Sequence, residues 1–100
     1  MLKNGTRLHS QVCETQVIVV RGGGDLDDLR CGGVPMLPLD EATPQGLVVD
    51  PRFAAGTVMG KRYVDEAGSE VLVTKAGAGT LSVGDGPLQL KESKPLPASD

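Results

Sequence analysis

Glycine and proline punctuate this chain so densely that a long helix has no room to form. Fourteen Gly and seven Pro are spread over 100 residues, and the longest uninterrupted apolar run is Val17-Ile18-Val19-Val20. Proline removes a backbone donor and fixes φ, while glycine opens positive φ, so both favour turns over regular elements. The chain is therefore expected to be mainly β, with short strands between tight turns. Phe53 and Tyr63 are its only large rings, which leaves a core of Val, Leu and Ala. Such a core is thin, and oligomerisation, a metal or docking on a partner is the expected source of extra stability.

Along the chain, Thr6 to Ser10 reads as a short first strand after the Asn4-Gly5 turn. Gln16 to Arg21 is too short for a buried helix and rich in β-branched residues, so it reads as a strand. Gly22-Gly23-Gly24 supplies a reversal, and Asp25 to Arg30 returns as a strand or one helical turn. Cys31 to Met36 holds a second tight turn. Residues 40–56 form a long connection, of the kind that packs on a partner or a site. Within it Leu47-Val48-Val49 reads as a short strand, and Pro51 to Ala55 as one helical turn with Asp50 as N-cap and Pro51 at N1. Strands are then expected at Thr57–Val64, Glu70–Lys75, Thr80–Val83 and Pro87–Leu90. The chain thus divides into a ribbon (1–39), a connection (40–56), an antiparallel β-meander (57–90) and an extended tail (91–100), together one compact unit.

The net charge is −3 and the largest basic cluster is Lys61-Arg62, so the basic stripe with interleaved aromatics of a nucleic-acid binder is missing. No apolar run approaches a membrane span, and residues 1–10 hold no signal-peptide hydrophobic region. The expectation is a cytoplasmic protein without membrane or nucleic-acid partners. Gly-Gly-Gly-Asp-Leu-Asp-Asp invites a phosphate-loop reading, but it sets carboxylates where phosphates would sit and lacks the closing Lys-Ser/Thr. Asp25, Asp27 and Asp28 likewise lack the glycine and closing Glu of a calcium loop. His9 is the only histidine, and a triad with Ser10 or Cys13 has nothing that fixes a base and its orienter.

Cys13 and Cys31 are the only cysteines. In a reducing compartment free thiols come first, metal ligands second and a disulfide third. Their surroundings resemble the desulforedoxin and rubredoxin-like, zinc-ribbon-like small metal domains. Ser10-Gln11-Val12-Cys13 stands at the place of the Cys-x-x-Cys knuckle, Gln16 to Val20 at the Val-rich strand and Gly22 to Gly24 at the turn. Arg30-Cys31-Gly32-Gly33 stands at the second cysteine pair, and Met36 at the following Met. The resemblance covers about a quarter of the chain and implies the fold of the ribbon. Ser10 and Arg30 occupy two of the four ligand positions, and iron in such a site wants four thiolates. A zinc or iron site would need Cys13 and Cys31 together with His9, joined by Glu14 or Asp28, or two chains pooling their cysteines. The leading expectation is a small non-catalytic accessory subunit without a cofactor, binding and stabilising a larger protein partner or forming a homo-oligomer. The alternative is a small zinc or iron protein using Cys13, Cys31 and His9.

Overall fold

Alternation along two six-residue strands decides which side chains this protein buries. In β2 (Gln16–Arg21) Val17 and Val19 are buried, and in β7 (Glu70–Lys75) Val71 and Val73 are buried, as the period-two geometry of a strand requires. The computed structural model describes residues 3–22, 26, 28–41, 47–65 and 68–91. Gly23, Gly24, Asp25 and Asp27 of the expected acidic turn, and the tail beyond Lys91, lie outside the described residues.

Around this pair the described residues form ten short strands in two antiparallel sheets. The others are β1 (Arg7–His9), β3 (Leu29–Cys31), β4 (Val34–Pro35), β5 (Leu37–Pro38), β6 (Arg62–Val64), β8 (Leu81–Val83), β9 (Gly86–Pro87) and β10 (Gln89–Leu90). One sheet has the order β10-β6-β7-β2-β1-β5 and the other β4-β3-β8-β9. Leu8, Val17, Val19, Val71 and Val73 from the first sheet and Leu29, Cys31 and Leu81 from the second belong to one core cluster, joined by Leu26, Met36 and Leu88. The mainly β expectation therefore holds.

The strands after residue 57 are not a consecutive meander. β7 pairs with β6 and with β2, whereas β8 leaves for the other sheet and pairs with β3. Turn spacing in a sequence marks where the chain reverses but not which neighbour each strand finds. Leu47, Val48 and Val49 form no strand, and β6 begins only at Arg62. The 3-10 turn Pro51–Phe53 is present, and Asp50 caps it by accepting from Arg52 N at 2.9 Å.

The topology is an internal repeat. β1 to β5 correspond in order to β6 to β10, and both sheet orders read the same under that exchange. The registers match: Leu8 faces Val17 as Tyr63 faces Val71, and Cys31 faces Val34 as Val83 faces Gly86. The irregular hydrogen bonds match too. Gly5 N donates to Val19 O as Gly60 N donates to Val73 O, and Met36 N to Leu29 O as Leu88 N to Leu81 O. Between the halves, Gly32 N donates to Thr80 O and Gly84 N to Asp28 O. A pseudo-two-fold axis therefore passes between β2 and β7, where Ile18 faces Leu72, and between β3 and β8, where Arg30 faces Ser82. Core residues are exchanged by it: Val17 with Val71, Val19 with Val73, Leu29 with Leu81 and Met36 with Leu88.

Because Val17 and Val71 occupy matching places in one shared core, Val17→Ala and Val71→Ala are each expected to lower the unfolding free energy by about 2 kcal/mol. Val48→Ala, at an exposed position, is expected to cost under about 0.5 kcal/mol. Urea titration of the three variants checks this, and a silent Val71→Ala would contradict a core built from both halves.

Candidate functional site

Cys13 lies in the loop between β1 and β2, and Cys31 is the last residue of β3, on the same inward face as Leu29. The fold brings their sulfurs to 3.7 Å. Cys31 is fully buried, while Cys13 is half-buried and reaches solvent.

The polar groups around Cys13 are placed to donate to it once it is a thiolate. Ser10 Oγ accepts from Val12 N and Cys13 N, both at 3.1 Å. A hydroxyl has two acceptor lone pairs and one proton, so with both lone pairs taken the Ser10 hydroxyl can act only as a donor, and Cys13 Sγ lies 3.3 Å away. Thr15 Oγ1 lies 3.2 Å from the same sulfur, and Gly79 N donates to it at 3.4 Å. Donors converging on one sulfur favour its charged form. Burial raises the Cys13 thiol, but the hydrogen bonds from Ser10, Thr15 and Gly79 outweigh it and bring the pKa from 9.0 down to about 7. Cys31 goes the other way. Burial, helped by the nearby charge of Cys13, pushes it up to about 12. The pair is therefore unequal: Cys13 carries the thiolate and Cys31 keeps its proton.

Two glycines of the β7–β8 loop make the close approach possible. A Cβ on Gly77 would stand 2.4 Å from Thr15 Oγ1 and 3.0 Å from Cys13 Sγ. One on Gly79 would stand 2.9 Å from Cys31 Sγ and 2.7 Å from Gly32 N. Backbone without side chains thus lies directly over both sulfurs. The end of the connection and the residue after it pack here. Asp50 N donates to Gly32 O at 2.9 Å, Thr80 N to Phe53 O at 2.7 Å, Ala55 N to Thr80 Oγ1 at 2.9 Å and Thr57 N to Gly77 O at 3.1 Å. Together they hold the turn after Cys31 and the loop over Cys13 at once.

His9 is not part of this group. Its ring nitrogens face the carbonyl oxygens of Ser10 (Nδ1, 3.0 Å) and Glu41 (Nε2, 2.8 Å). Glu14 pairs with Lys75 and Asp28 with Arg30. Among the described residues no group of three or more His, Cys, Asp and Glu side chains is placed to hold a metal ion. Among the described residues, the two sulfurs and the Ser10 hydroxyl fall short of the four-ligand set that zinc or iron takes.

Of the residues singled out from the sequence, the structure joins Cys13, Cys31 and Ser10. Thr15, Thr57, Gly77 and Gly79 were not anticipated, although the Ala76-Gly77-Ala78-Gly79 stretch is a local signal of close backbone approach. No protein-family model, no curated protein and no solved structure matches the chain. The functional reading therefore rests on this geometry.

In the native protein, iodoacetamide is expected to modify one thiol per chain, at Cys13, with a rate that rises with pH around a midpoint of about 7. Cys31 should react only after denaturation, and Cys13→Ser should abolish native labelling. Mass spectrometry across a pH series checks this. A midpoint at the ordinary 9.0 would contradict the arrangement of donors.

Proposed function

We propose that this protein is a small thiol–disulfide redox protein in which Cys13 is the nucleophile and Cys31 the resolving thiol. One observation carries the reading: a half-exposed sulfur beside the Ser10 hydroxyl and the Gly79 N–H lies 3.7 Å from a fully buried sulfur. Sulfurs at that distance need only a modest side-chain movement to reach bonding range.

The chemistry follows from the inequality. The Cys13 thiolate attacks one sulfur of a low-molecular-weight disulfide. That S–S bond breaks, one thiolate leaves with its electron pair and takes up a proton, and a mixed disulfide forms on Cys13. Loss of the Cys13 charge removes an influence that, beside burial, raises the Cys31 pKa. Cys31 then releases its proton to solvent and attacks Cys13 Sγ, displacing the second small thiolate. Two electrons pass from the protein to the small disulfide, which leaves as two thiols. Attack begins at Cys13 because Cys31 has no exposed surface.

This reading takes precedence over the accessory-subunit role, whose support is the exposure of Val48 (76 %) and Met59 (67 %), apolar side chains that a larger protein or a second copy would cover. Redox cycling of the dithiol is compatible with such docking and does not depend on it.

Reduced native protein incubated with glutathione disulfide is expected to lose two hydrogens and retain no adduct. Cys31→Ser should stop at one glutathione on Cys13, and Cys13→Ser should remain unmodified. The oxidised wild type should resist urea more than the reduced protein, with a closed loop of this length contributing about 3 kcal/mol. A wild type that accumulates a stable adduct at Cys13 would show that Cys31 does not resolve it, and the proposal would fail.

A further inference from the structure

We propose that Thr57, just after the connection and far in sequence from either cysteine, is a positioning residue that turns the Thr15 hydroxyl onto Cys13. The inference rests on the thiol reading above and extends it to what sets the reactivity of the site.

Thr57 is tied to the β7–β8 loop by two bonds: its N–H donates to Gly77 O at 3.1 Å, and Gly77 N donates to its Oγ1 at 3.1 Å. The backbone N–H occupies one lone pair of the Thr57 hydroxyl. Thr57 Oγ1 lies 3.3 Å from Thr15 Oγ1, which in turn lies 3.2 Å from Cys13 Sγ. Thr15 is fully buried, so bulk water does not compete for its hydroxyl. Each hydroxyl has a single proton. If Thr15 spends its proton on Thr57, the sulfur loses a donor. If Thr57 donates to Thr15, the Thr15 proton is free for the sulfur. The second order is the stable one, because a hydrogen bond to a charged acceptor is roughly twice as strong as one between neutral groups. The result is a directed chain from Gly77 N–H through Thr57 O–H and Thr15 O–H to the Cys13 thiolate, in which each bond polarises the next.

The other half of the repeat supplies the contrast. There Ser69 stands where Thr15 stands, since Ser10 N donates to Thr15 O as Asp65 N donates to Ser69 O. Ser69 is 2 % exposed, and its Oγ is the buried side-chain oxygen without a hydrogen-bond partner among the described residues. Val83 stands where Cys31 stands. Among the described residues, the half that lacks the dithiol shows no such relay.

The test is the titration of the Cys13 thiolate by its ultraviolet absorbance, with alkylation rates at neutral pH, in Thr57→Val, Thr57→Ser, Thr15→Val and the double variant Thr15→Val/Thr57→Val. Thr57→Val should move the midpoint from about 7 toward 9.0 and slow alkylation at neutral pH roughly three- to tenfold, while Thr57→Ser keeps the wild-type behaviour. The double variant should match Thr15→Val alone, because Thr57 acts only through Thr15; a merely structural role would add its effect in full. Thr57→Ala replaces the valine variant if urea titration shows the latter to be unfolded. An unchanged midpoint in Thr57→Val, or full additivity in the double variant, overturns the relay and leaves the thiol reading standing. A wild-type midpoint at 9.0 overturns both.

Discussion

The antiparallel pairing of β2 with β7 is the constraint on which the rest of this structure depends. It joins the two halves of the repeat at their longest strands and places Val17 opposite Val73 and Val19 opposite Val71. In either half alone, the inward face of the long strand would stand beside β1 or β6, both three residues long. Apolar surface of that kind is not buried by so short a neighbour. Across the axis each half supplies the other with a partner of equal length. The second sheet repeats the solution with β3 and β8, so a chain with two aromatic rings closes its core with small aliphatic residues.

A repeat also fixes where a site can differ from its counterpart without disturbing the frame. The hydrogen bonds that align the halves are between backbone groups and place little demand on side chains. Ser10 and Asp65 share one place and both serve the backbone of the loop that follows: Ser10 Oγ accepts from Cys13 N, and Asp65 Oδ1 from Ser69 N. Only the serine also has a proton to give. Gln16 and Glu70 share another place, and the nearly buried Glu70 is paired with Arg62 and Lys91, which hold its carboxyl below the ordinary carboxylate range. One half thus gathers a dithiol and the other an ion pair cluster on the same scaffold.

How much of this was legible in the sequence depends on how local each feature is. Gln16–Arg21 and Glu70–Lys75 are strands as read, because β-branched runs between polar and glycine borders are a local signal. Asp50-Pro51 marks the 3-10 turn for the same reason. The expected strand at Leu47-Val48-Val49 is not there because the connection serves another end: Val49 lies over Gly32, and Asp50 is bonded to it. The repeat is written in Leu29-x-Cys31-Gly32-x-x-Pro35-Met36 against Leu81-x-Val83-Gly84-x-x-Pro87-Leu88. Identities are scattered among replacements, and the β2–β3 and β7–β8 loops differ in length, so no single offset aligns the two halves. Ser10 and Thr15 stand beside Cys13 in the chain, but Thr57, Gly77 and Gly79 reach it only through the crossover to the second sheet.

The donors that make Cys13 reactive also bear on the balance between dithiol and disulfide. The bonds from Ser10, Thr15 and Gly79 are strongest to a thiolate, which exists only in the reduced protein. Closing a Cys13–Cys31 disulfide removes that charge and leaves the same donors facing a weakly accepting sulfur. Whatever stabilises the reduced form of a dithiol relative to its disulfide raises the reduction potential. Burial of Cys31 acts in the same sense, since a protonated thiol is the form that suits an apolar environment. The closed loop opposes both by restricting the unfolded chain. Reactive thiolate and buried thiol therefore offset part of what the closed loop contributes to the disulfide form. Thr57, held by Gly77, adds to that offset, because its hydroxyl relay has its full strength only while Cys13 is charged.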